Sequence, residues 1–293
     1  MIDRLEIHKK YGFQKTIARR ACVNGFGFWS GQDVLLEFLP APENYGIRFV
    51  RTDMAGEEPL PALLEYRIAK PRQTSLARGD FQVDMVEHVM SALNGLFIDN
   101  CQVRINGPEM PGIDGSAMPF VKELGKAGIK IQSAPKKIRI VTEPVSLITP
   151  RGEVCVFPSE SGEISYRYDL DYASKGQLTP PIPTQSFETV LSPSTYVKEI
   201  APARTFLTYA EADQLLELGL CRRVTPRDVL VFGDKGPVNN RLRYDTECAR
   251  HKTLDMIGDF ALAGELIVGR FHAKRSGHQL NADLLVEILD RCE

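Results

Sequence analysis

An α+β protein in two halves is what this chain of 293 residues predicts, and three observations carry that expectation. Short apolar or alternating runs punctuated by proline and glycine recur in both halves and read as strands. Two longer segments, 83–96 and 245–263, switch to helical spacing; each has a histidine near its start and leads into an apolar strand. Between them, Gln132-Ser133-Ala134-Pro135-Lys136-Lys137 ends both periodicities. The expected domains are therefore 1–134 and 135–293, two α+β layers facing each other.

Taken in order, residues 17–53 are strands and turns: 34–39 is an apolar run, 40–46 is punctuated by proline and glycine, and 47–51 alternates. Residues 54–80 read as an excursion from the main sheet. In 83–96, Val86, Val89, Met90, Leu93 and Leu96 fall on one helical face. Residues 99–105 return to strand, 106–116 are turn-rich, and 117–127 form a second helix. In the second half, strands occupy about 138–172 and Pro/Thr/Ser-rich connections 176–195. The helix at 245–263, a strand at 266–271 and a last helix at 281–290 complete the chain.

Composition removes several function classes. With 36 Lys and Arg against 38 Asp and Glu, the net charge of -2 argues against a dedicated nucleic-acid or anionic-membrane binder. The greasiest stretch, 260–268, is broken by Glu265 and too short to span a bilayer, so no stable membrane insertion is expected. Met1-Ile2-Asp3-Arg4 lacks the apolar core of a signal peptide, and the six cysteines are scattered singly without a C-x-x-C. A cytoplasmic protein with reduced thiols fits both.

Of the five histidines, His8 and His272 have no neighbours that suggest chemistry, and the other three do. His251 and Asp255 are one helical turn apart and project to the same side, with Asp259 extending the line. An imidazole and a carboxylate so placed suit a divalent metal, and suit a solvated surface pair equally well. In Val86-Glu87-His88, a helix sends the two polar residues in different directions. His88 could then turn to a metal while Glu87 acts beside it as general base. Lys274-Arg275-Ser276-Gly277-His278 reads as a loop before the last helix, holding a histidine where it could protonate a leaving amine or stabilise an oxyanion. Three ligands (His88, His251, Asp255) with one open position are what a catalytic zinc site needs, yet 163 residues separate the two histidines.

Over residues 16–290 the chain resembles the UDP-3-O-acyl-N-acetylglucosamine deacetylases, zinc amidases of lipid A synthesis. The resemblance rests on ordered motifs: Val86-Glu87-His88; Pro108-Glu109-Met110-Pro111; Asp114-Gly115-Ser116-Ala117; Ala203-Arg204-Thr205-Phe206; Gly219-Leu220-Cys221; Leu242-Arg243-Tyr244; Arg250-His251-Lys252 with Leu254-Asp255 and Ile257-Gly258-Asp259; and Ser276-Gly277-His278. It implies zinc, or iron(II) on the same ligands, held by His88, His251 and Asp255. It implies Glu87 as general base, His278 as general acid or oxyanion stabiliser, and Asp259 as the carboxylate that orients His278. Thr205 would donate its hydroxyl to the amide carbonyl. Lys252, Tyr172 and Phe206 would contact the substrate, Lys252 near the sugar nucleotide and Tyr172 stacked on uracil. The partner implied is a small UDP-sugar bearing an acyl chain, and the chain is expected to act as a monomer. The implied fold is a duplicated β-α-α-β sandwich with the site between its two domains. Insertions are expected near 54–80 and 205–232, the second forming the acyl passage.

Two departures stand out. Where the family's early loop carries histidine, this chain has Trp29, its only tryptophan, in Gly27-Phe28-Trp29-Ser30-Gly31. After Cys221, Arg222-Arg223 replaces a glycine pair. These motivate a second reading, a zinc deacetylase acting on a different N-acetylated sugar or sugar nucleotide. A catalytically silent binding protein is a third, opposed by retention of all the chemical residues.

Overall fold

A computed structural model describes residues 4–172 and 181–292. The first half runs α1 (Arg4–Tyr11), β1 (Phe13–Ile17), β2 (Ala21–Phe26), β3 (Asp33–Pro40), β4 (Ile47–Arg51), β5 (Leu60–Pro61), β6 (Arg67–Lys70), β7 (Gln73–Arg78), β8 (Phe81–Asp84), α2 (Glu87–Gly95), β9 (Cys101–Ile105), α3 (Met118–Ala127) and β10 (Ile129–Pro135). The second runs β11 (Ile138–Ile140), β12 (Val145–Thr149), β13 (Gly152–Phe157), β14 (Ser165–Leu170), β15 (Gln185–Val190), α4 (Pro193–Thr195), β16 (Phe206–Thr208), α5 (Tyr209–Glu217), β17 (Leu230–Gly233), β18 (Gly236–Pro237), α6 (Glu247–Phe260), β19 (Leu266–Val268), β20 (Arg270–Lys274) and α7 (His278–Arg291).

Two five-stranded sheets dominate, ordered β2-β3-β9-β4-β5 and β12-β13-β20-β14-β15. In both, the first three strands are antiparallel, the fourth is parallel to the third, and the fifth is antiparallel to the fourth. Alternation explains their faces: Cys101, Val103 and Ile105 of β9 are buried, whereas Gln102 and Arg104 are less so. Helix α3 packs on the first sheet through Phe120 and Phe38. Phe260 of α6 stacks on Phe271 of the second sheet, 4.8 Å between ring centres. Helix α2 packs against α6. That meeting is set by glycine: a Cβ on Gly258 would overlap the Glu87 carbonyl oxygen. Among the described residues no helix is long and apolar enough to cross a membrane.

The mixed α+β expectation holds, with several local corrections. In the stretch 132–137, where both sequence periodicities end, strand continues to Pro135, since β10 pairs antiparallel with β1. Residues 185–190, expected as connection, form β15, where Phe187 and Thr189 point inward and period-two spacing outweighs composition. Residues 176–180 of that stretch lie outside the described ones. The helix expected over 83–96 begins only at Glu87, because Met85 takes φ of 60° between β8 and α2. The strand at 266–271 divides at Gly269, where a Cβ would stand 2.9 Å from Val141 and Val156. The last helix starts three residues early, at His278, so this residue opens a helix and does not sit in the preceding loop. Helix α1, outside the expected elements, buries Ile7 and Tyr11 one turn apart. The two excursions are three-stranded sheets, β6-β7-β8 and β16-β17-β18, so they extend past residues 80 and 232 to Asp84 and Pro237.

Candidate active site

The close approach of α2 and α6 joins the two remote motifs. His88 stands in the first turn of α2 and His251 in α6, their rings 5.0 Å apart and perpendicular. Asp255, one turn after His251, puts Oδ1 3.5 Å from His251 Nε2 and 3.7 Å from His88 Nε2. All three side chains are buried, and one ligand atom from each lies within 4.8 Å of the others. His251 Nδ1 donates to the Ala203 carbonyl at 3.1 Å, so its Nε2 keeps a lone pair facing the cluster. Burial pushes the His251 imidazole down to about 3 and keeps it neutral. Burial alone would raise Asp255, but the Lys252 ammonium outweighs it and holds the carboxyl well below the usual range. Lys252 donates to Asp255 Oδ2 at 2.7 Å, leaving Oδ1 toward the imidazoles. Two imidazole nitrogens and one carboxylate oxygen, neutral and anionic as a cation requires, fit a divalent metal.

Beside this cluster runs a buried hydrogen-bond chain. Glu87 Oε2 accepts from the Thr74 backbone N–H at 2.9 Å, and the Thr74 hydroxyl donates to Asp259 Oδ1 at 2.6 Å. Asp259 Oδ2 accepts from His278 Nδ1 at 3.0 Å and from the Asn281 side-chain amide at 2.7 Å. Burial, chiefly, raises the Glu87 carboxyl above its ordinary value. For His278, burial pulls the imidazole down, but the Asp259 carboxylate wins and raises it to about 9. One group is thus poised to take a proton and another to hold one.

The remaining motifs position this core. Arg204 and Glu247 form a buried pair, Nε to Oε1 at 2.7 Å and Nη2 to Oε2 at 3.1 Å, tying the segment 203–205 to the start of α6. This places the Ala203 carbonyl on His251 and Thr205 at the cavity wall. Arg243 donates to Asp114 at 2.8 Å, and the turn at Gly115 brings its carbonyl to the Thr205 N–H at 2.7 Å. Glu109 clamps the early loop by accepting from the backbone N–H groups of Trp29 at 2.7 Å and Ser30 at 2.9 Å.

The cavity at this core has a volume of about 1240 Å³. Glu87, His88, Thr205, Phe206, His251, Lys252, Asp255, His278 and Tyr172 all line it, and Asp259 stands behind His278. Phe206 lies edge-on to His251 at 6.0 Å and to Tyr172 at 6.2 Å. Every site residue expected from sequence is therefore brought to one place. Lys252 turns its ammonium inward to Asp255. Thr74 and Glu109 were missed as working residues; no local spacing links Thr74 to a site built 185 residues later, though Asn281 stands one turn from His278 and could have been found.

Residues 14–290 match the family described as UDP-3-O-acyl N-acetylglycosamine deacetylase. The chain is 36% identical over 277 residues to the UDP-3-O-acyl-N-acetylglucosamine deacetylase of Myxococcus xanthus strain DK1622, covering 94% of this chain and 86% of that protein. It is 35% identical over 280 residues to the like-named protein of Geobacter sp. strain M21, covering 95% and 90%. A third relative of the same name, from Anaeromyxobacter dehalogenans strain 2CP-C, is 36% identical over 277 residues, covering 94% and 87%. Nearly the whole chain is matched by the family and by these relatives alike, and it belongs to the UDP-3-O-acyl-N-acetylglucosamine deacetylase family.

Proposed function

We propose that the protein hydrolyses the N-acetyl group of UDP-3-O-acyl-N-acetylglucosamine, releasing acetate, in the cytoplasmic steps of lipid A synthesis. The observation that carries this is the single buried cluster of His88, His251 and Asp255 beside Glu87 and the Asp259–His278 pair. Zinc, or iron(II), held by the three ligands would supply Lewis acidity, polarising the amide carbonyl and easing removal of a proton from water. Glu87, with Oε2 engaged by Thr74, takes that proton on Oε1. Its raised affinity for protons suits a base that must take one from water. The Thr205 hydroxyl donates to the carbonyl oxygen as charge builds there. His278, oriented through Nδ1 by Asp259, holds a proton on Nε2, stabilises the oxyanion and delivers the proton to the departing amine. Lys252 fixes Asp255 from behind while its stem faces the sugar nucleotide, and Tyr172 and Phe206 offer ring surface to the uracil side.

The matched strand order and senses of the two five-stranded sheets support a duplicated sandwich. We read 1–134 and 135–293 as its domains and the chain as a monomer. The relatives' shared name favours a 3-O-acylated substrate over another N-acetylated sugar. The test is acetate release from UDP-N-acetylglucosamine with and without the 3-O-acyl chain, alongside elemental analysis. Metal-dependent release from the acylated substrate alone is expected; equal release from both would favour the second reading, and none from either would end the deacetylase assignment.

A further inference from the structure

Trp29 and Arg223, the two departures from the family pattern, are brought together. Arg223 Nη1 donates to the Gly31 carbonyl at 3.1 Å and to Asp33 Oδ1 at 2.6 Å. Its guanidinium lies 4.4 Å over the Phe26 ring. The second insertion is thereby strapped to the loop bearing Trp29. That loop has little freedom: Glu109 takes the Trp29 and Ser30 backbone N–H groups, the Gly31 N–H bonds to the Gly27 carbonyl, and a Cβ on Gly27 would overlap the Glu109 carboxylate. The indole walls the same cavity as Cys221, Val224 and Leu215 of the insertion. Its Nε1 is buried and meets no acceptor of the protein.

We propose that Trp29, fixed by Glu109 and by the Arg223 strap, is a specificity-determining residue that limits the length of acyl chain the cavity accepts. The proposal rests on the deacetylase reading and names the part of the substrate this residue meets. A fused ring on the cavity wall shared with Leu215, Cys221 and Val224 occupies space that a smaller side chain leaves to methylenes, and a chain too long for that space leaves its end in water.

The test compares kcat/KM for UDP-3-O-acyl-N-acetylglucosamines of increasing chain length in the wild type, Trp29→Ala and Trp29→His. The wild type should fall off beyond a limiting length. Both variants should move that limit to longer chains, gaining up to about fourfold for each methylene newly buried. Arg223→Ala should shift the limit in the same direction by less. Because Trp29 is the only tryptophan, its fluorescence gives a second readout on the unaltered protein. The acylated UDP-sugar should shift its emission, and UDP alone should not. Deacetylation with one length profile in all variants would overturn the proposal while leaving the reaction intact. Emission that ignores the acyl chain, or answers equally to UDP, would overturn it too, including where no deacetylation is seen.

Discussion

The two halves share a strand order and supply unlike chemistry to one cavity. Helix α2 offers Glu87 and His88 in its first turn, straight after the strained backbone of Met85. Helix α6 offers His251 and Asp255 from its interior, one turn apart. The charged groups of the second half arrive paired, Lys252 on Asp255 and Asp259 on His278. The acid of the first half is met by a backbone N–H of its own insertion, and burial raises its carboxyl. Under the proposed mechanism the base comes from α2 and the proton donor from α7, while the candidate metal ligands are divided between α2 and α6.

Removing a ligand from either half should break this division completely. His88→Ala and His251→Ala are each expected to lose the metal by elemental analysis and to drop activity to background. Retention of a full metal equivalent in His88→Ala would show that the second half alone holds the ion. Glu87→Ala and His278→Ala should instead keep the metal and lower kcat by about 10²-fold or more. A variant of either with near wild-type turnover would remove that residue from the chemistry.

The pairing of His278 makes a pH prediction with a definite sign. Its folded value of about 9 lies above the usual imidazole value, so the proton it holds stabilises the folded protein at low pH. That contribution is complete below the unfolded value and disappears as pH rises through about 9, where proton donation also fails. A kcat/KM profile should fall above about pH 9, and Asp259→Asn should move that limb to lower pH. A limb unmoved by Asp259→Asn would assign it to another group. The smallest effect is expected from Thr74→Val, which keeps the backbone bond to Glu87 and loses the hydroxyl to Asp259. About a tenfold loss in kcat, the size of one hydrogen bond, would mark Thr74 as a positioning residue. An unchanged kcat would make the chain from Glu87 to Asp259 incidental.

How much of this was legible depended on distance along the chain. His251 and Asp255 could be paired from spacing because a helix fixes what lies one turn away. Nothing local could bring His88 to them, since that approach depends on Gly258 meeting the Glu87 carbonyl; the ordered motifs of a resembling family supplied what periodicity lacked. The strand at 34–39 was plain as an apolar run and that at 47–51 from its alternation, whereas β15 hid in a Pro/Thr/Ser-rich stretch. The roles of Thr74 and Glu109 are tertiary, made by hydrogen bonds to distant carboxylates and amides, and their neighbours in sequence carry no trace of them. Arg222-Arg223 was visible as an oddity, and only the fold shows Arg223 spanning to Asp33.

The most direct test is anomalous diffraction at the zinc edge from crystals of the purified protein. One peak within bonding distance of His88 Nε2, His251 Nε2 and Asp255 Oδ1 is the expected result. A fully loaded ion bound elsewhere, with α2 and α6 keeping those side chains to themselves, would contradict the account at its root.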